Sequence, residues 1–174
     1  MSKKLSIKQK NWLLIFHLFF ISAWLGGGLR AIILTAFTVV TADANLIYPA
    51  HLFSKYFDWF LVIPGAAGTL ITGVWLSLKT NWGLTKYYWI IIKLTGNIAI
   101  ILFGGNFMRF WLDDAKYLSA NDAGFLQNPV YLYNRDMLLI GFVSAVVLLI
   151  LLLIISIIKP WGKRKSKLER FIMD

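Results

Sequence analysis

Residues 137–158, MLLIGFVSAVVLLILLLIISII, decide how the rest of the chain is read. The stretch holds no charged side chain. As a helix it extends about 33 Å, enough for a hydrocarbon core of about 30 Å. It stops at Lys159-Pro160, where proline cannot continue the hydrogen-bond ladder. Three more apolar stretches precede it, at about 11–40, 58–78 and 88–108. The first is long, about 45 Å, so either Gly26-Gly27-Gly28 bends it or its last turns stand outside the membrane. Pro64 predicts a kink in the second, and residues 47–57 read as an amphipathic lead-in. Residues 109–136 read as a polar outer loop and 159–174 as a basic cytoplasmic tail. No period-two alternation persists, and a transmembrane barrel needs many more strands. The expectation is one all-α domain over 1–174, an integral membrane four-helix bundle running up-down-up-down.

Composition points the same way. Of 174 residues, 59% are hydrophobic and 15% charged, with mean hydropathy +0.68. Soluble domains carry about a quarter charged residues, and a chain this short cannot hide so much apolar surface in one core. The lipid bilayer is therefore its first partner. A net charge of +10 does not mark a nucleic-acid binder, because the basic residues stand in short blocks flanking the apolar runs. The absence of cysteine excludes disulfides, thiolate metal sites and thiol nucleophiles. No Ser-His-Asp set or paired carboxylates occur at usable spacing, which removes the soluble hydrolases. The N-terminus is basic and then apolar, but the run passes Leu29 with no small-residue cleavage pattern, so it reads as a retained span.

Orientation follows from lysine and arginine asymmetry. One side collects Lys3, Lys4, Lys8, Lys10, Lys79, Lys86, Lys159, Lys163, Arg164, Lys165, Lys167 and Arg170. The other has Arg30, Lys55, Arg109, Lys116 and Arg135, together with Asp43, Asp58, Asp113, Asp114, Asp122 and Asp136. This predicts both termini in the cytoplasm of a bacterial plasma-membrane protein. The basic tail reads as a topology signal drawn to anionic headgroups, or as a docking site for a partner.

Polar groups within a span are expensive and become functional candidates by default. At 100° per residue, His17 shares a stripe with Trp24, Gly28, Ala31 and Thr35. Lys93 aligns with Asn97, Gly104 and Trp111, and Asp58 with Gly65, Gly68, Thr69 and Thr72. Small and polar faces of this kind turn toward neighbouring helices. His17 and Lys93 both lie about 8–9 Å in from the same end, so an imidazole and an amine can meet at one level. His17 then reads either as a histidine bonded to a neighbouring helix or as an axial ligand to haem iron. Lys93 reads as a snorkelling cation, or as the counter-charge of a haem propionate or an anionic substrate. Asn97 is packing glue or a donor beside it. Arg30 falls opposite His17 on an ideal helix, snorkelling outward or turned inward by the glycines. His51 sits near the far interface, too distant to share one iron with His17.

His17, Trp24, Gly27 and Arg30, with Thr72-Gly73-Val74-Trp75-Leu76, Asn81-Trp82-Gly83, Trp89 and Lys93, resemble a four-helix membrane superfamily. It contains the HemJ-type protoporphyrinogen oxidases, the CopD membrane domain and uncharacterised integral membrane proteins, the last being most similar overall. The resemblance covers roughly 12–103. It implies a haem b protein in which His17 is the ligand and Lys93 an essential polar partner. Where the HemJ pattern has proline, tyrosines and a further histidine after the first span, this chain has Ala31-Ile32-Ile33-Leu34. A redox role on porphyrin or quinol is one expectation. A non-enzymatic accessory subunit of a membrane complex, or a homo-oligomer, is the other. Copper transport is disfavoured by four scattered methionines, and a transporter by the absence of inverted repeats.

Overall fold

The structure, a computed structural model, describes residues 5–164. Lys3, Lys4, Lys165, Lys167 and Arg170 of the basic blocks lie outside the described residues. Among the described residues, four helices are long and apolar enough to cross a membrane: α1 (Ile7–Val40), α2 (Ala44–Lys79), α3 (Tyr88–Asn121) and α4 (Pro129–Ile158). The chain is thus an all-α four-helix bundle of multi-pass membrane type.

Local chemistry sets the helix ends. Ser6 opens α1 with a capping box: its hydroxyl accepts from Gln9 N while Gln9 Oε1 accepts from Ser6 N at 3.0 Å. The helix then runs through Gly26-Gly27-Gly28 without a break. In α2 the amphipathic lead-in Ile47–Phe57 is continuous with the span, joined to Ile63–Lys79 by a π turn at Asp58–Val62. Pro64 follows that turn directly. Its missing N–H falls where the ladder is already interrupted, so the expected kink takes the form of an inserted residue. A second π turn, Gly104–Met108, interrupts α3.

The expected outer loop 109–136 is corrected by the structure. Arg109–Asn121 is helical, as is Pro129–Ile158, leaving only 122–128 as the connection between them. Aspartate and lysine make a segment polar without ending a helix; the breakers here are Gly124 and Pro129. Asp122 Oδ1 accepts from Gly124 N at 2.8 Å and Oδ2 from Asn128 Nδ2 at 2.9 Å. The Asn128 amide, with the Gly124 N–H, holds the Asp122 carboxyl below its ordinary range. Asn128 also caps α4 by accepting from Val130 N at 2.9 Å.

The helices pack as a ring in which α1 and α3 each touch α2 and α4, leaving α1 and α3 diagonal. At one end, here the terminal end, the first turn of α1 meets the 80–88 turn and the end of α4, with Lys10 and Lys159 both over the Trp82 ring. At the opposite end His51 of α2 bonds Tyr131 of α4 at 3.2 Å, and Lys55 pairs with Asp113 of α3. The stripe residues Trp24, Ala31, Thr35, Thr69, Thr72 and Asn97 are all buried. Outward faces carry Phe19, Ile33, Phe60, Ile71 and Leu102, more than half exposed, as a lipid-facing surface requires.

Candidate functional site

The terminal half of the bundle holds a partly open cavity of about 460 Å³ between all four helices. Its walls are mostly leucine and isoleucine, with Trp82 and Trp89 toward the terminal end. Its polar lining is His17 of α1, Thr69 and Ser77 of α2, Lys93 and Asn97 of α3, and Ser156 and Lys159 at the end of α4. His17 of α1 and Lys93 of α3 meet there, Nζ standing 3.4 Å from Nε2. Thr69 of α2 and Asn97 of α3 line the same space.

His17 is held by α2. Its Nδ1 lies 2.7 Å from Thr72 Oγ1, and Thr72 Oγ1 is 2.5 Å from the Gly68 carbonyl. A hydroxyl has one proton, and the carbonyl can only accept, so Thr72 donates to Gly68 and accepts from His17. The imidazole proton therefore sits on Nδ1. Nε2 keeps its lone pair and turns it toward the cavity and the Lys93 amine. Gly73 makes room for the ring, since a Cβ there would stand 3.1 Å from His17 Cε1. One α2 face thus supplies both the clearance and the anchor for a side chain only 5% exposed. Replacing Thr72 by valine should remove the anchor. We expect a ¹⁵N spectrum of the imidazole to change from Nδ1–H toward a tautomer mixture, with a stability loss of about 1 kcal/mol. An unchanged spectrum would show that Thr72 does not set the tautomer.

Of the residues singled out by sequence, His17, Lys93 and Asn97 come together in the cavity, while Trp24, Gly28 and Arg30 lie elsewhere. Trp24 packs with Ala66, Ile100 and Leu152. Gly28 lets α4 approach, because a Cβ there would be 2.8 Å from Val146 Cγ2. Arg30 turns toward α2: Nη1 donates to Ser54 Oγ at 2.9 Å, and Nη2 pairs with Asp58 Oδ1 at 2.8 Å. His51, 1% exposed, belongs to the opposite end with Tyr131. Sequence reasoning placed Thr69 and Thr72 on an inward stripe but did not single them out; a threonine one turn from a candidate histidine's level was the available signal.

Among the described residues no three His, Cys, Asp or Glu side chains converge to cage a bare ion. No protein-family model, no curated protein and no solved structure matches the chain.

Proposed function

We propose that this chain is a haem b protein of the bacterial plasma membrane, both termini cytoplasmic, with a redox role on porphyrin or quinol. The observation that carries the reading is the His17 lone pair: Nδ1–H bound to Thr72, Nε2 facing an apolar cavity between helices. Metal-ligating histidines characteristically donate the other ring N–H in this way, which fixes the ring and raises its basicity. A lone imidazole suits an iron that brings its own four nitrogens, since one protein ligand then suffices. The cavity volume is in the range of small-molecule sites, and its apolar walls suit a flat hydrophobic macrocycle. Lys93 stands in front of Nε2, so ligation displaces its amine, and a four-carbon stem permits that. The bound group would supply one-electron chemistry. The protein's residues orient it and keep water out: His17 ligates, Thr72 and Gly73 fix the ring, and Trp82 and Trp89 wall the terminal side.

The test is spectroscopic. Purified in detergent, the wild-type chain is expected to show a Soret band or to gain one on titration with haemin. His17→Ala should lose the His-ligated spectrum and bind at least tenfold more weakly, the range seen when a metal site's supporting groups are removed. A colourless protein that haemin leaves colourless, or a His17→Ala variant with an unchanged spectrum, would end the reading.

A further inference from the structure

Among the described residues, the Lys93 amine has no carboxylate partner. The side chain is only partly exposed, and the amine lies across the cavity at His17. The structure therefore argues against a snorkelling role, which would carry the amine out along its own helix. The aspartates whose contacts are described gather at the opposite end with Arg30, Lys55, Arg109 and Arg135. A neutral imidazole is poor compensation for a charge removed from water.

The same cavity holds a second unsatisfied group. Thr69 is 2% exposed, lines the cavity, and its Oγ1 has no hydrogen-bond partner. Asn97, 5% exposed, lines the cavity one turn along α3 from Lys93. An amine, a hydroxyl and an amide thus face one apolar space, all able to donate, and only one of them charged. The wall beyond them is mostly leucine, isoleucine and tryptophan, with Ser77, Ser156 and Lys159 also on the lining.

We infer that the cavity selects an apolar carboxylate, whose anionic head pairs with Lys93 and is flanked by the Thr69 hydroxyl and the Asn97 amide. The inference deepens the haem reading and rests on it for one of two sources of that chemistry, a tetrapyrrole carboxylate. The other source is a long-chain acid from the surrounding lipid. Charge-assisted hydrogen bonds that form only with the acid set the scale, a preference over the neutral ester of about tenfold or more.

The experiment is calorimetric titration of the detergent-purified full chain with two matched pairs: metal-free protoporphyrin and its dimethyl ester, and oleate and methyl oleate. Acid and ester partition differently into the micelle, so each affinity is corrected by a titration into protein-free micelles. The expected result is that the acid of at least one pair binds about tenfold or more tighter than its ester. The ratio should fall to about one in Lys93→Met and persist in Lys93→Arg, which keeps the charge. Preference confined to the porphyrin pair identifies a tetrapyrrole carboxylate, and preference confined to oleate identifies a lipid-derived acid. Equal binding of acid and ester in wild type, or a preference that survives in Lys93→Met, overturns the inference. The haem reading fails separately, on the haemin titration of wild type and His17→Ala.

Discussion

Gly65→Ala is expected to destabilise the bundle by about 3 kcal/mol, the upper end of what an added methyl costs in a packed interior. The reason is what the methyl would meet. An added Cβ would lie 2.7 Å from Trp24 N and 3.0 Å from both Trp24 Cα and Phe20 O, all backbone atoms of α1. Backbone does not rotate aside, so the two helices must separate along their whole contact. Gly68 provides the internal comparison. Its added Cβ would collide with the Phe20 ring at 2.3 Å, a side chain that is only partly buried and able to swing. Gly68→Ala should accordingly cost less than Gly65→Ala despite the shorter contact. Unfolding titrations from mild into denaturing detergent would measure both, and the reverse order would refute the account.

Asp58→Ala should cost about as much, for an electrostatic reason. The Arg30–Asp58 pair joins α1 to α2 with side chains 17% and 23% exposed. Arg30 Nε is already buried without a partner, and the guanidinium stacks 5.1 Å from the Phe57 ring. Removing the carboxylate strands a positive charge with only Ser54 to receive it. Breaking a buried pair from one side costs about 3–5 kcal/mol, and partial exposure places this one at about 3. Replacing both partners, as in Arg30→Met with Asp58→Leu, should recover most of the loss, since neither charge then needs a partner. If the single variant unfolds like wild type, or the double is worse than the single, the pair does not hold α1 to α2.

The span pattern was legible because hydropathy and length are local quantities. So was the meeting of His17 with Lys93, because depth along a helix is a matter of counting from the membrane edge. What escaped was set by the helices' angular relations. Arg30 falls away from His17 on an ideal helix, and nothing in α1 says that a face opposite one neighbour is turned to another. The length of α3 escaped for a different reason. Asp113, Asp114 and Lys116 announce water, but a helix that leaves the membrane remains a helix, here as far as Asn121. In the site, the anchoring role of Thr72 depends on where its one hydroxyl proton goes, which is decided by the Gly68 carbonyl of its own helix and cannot be seen in composition.

The two π turns, Asp58–Val62 in α2 and Gly104–Met108 in α3, lie at about the same number of residues from the terminal end. Each inserts one residue, and one residue is about 100° of phase on a regular helix. The upper and lower halves of both helices are therefore geared separately. The half that carries Thr72 and Lys93 can keep its rotational setting while the half that carries His51, Lys55 and Asp113 adopts its own. The face that brings the amine to the imidazole is thus set about 100° out of the phase that an uninterrupted helix would impose from the acidic end.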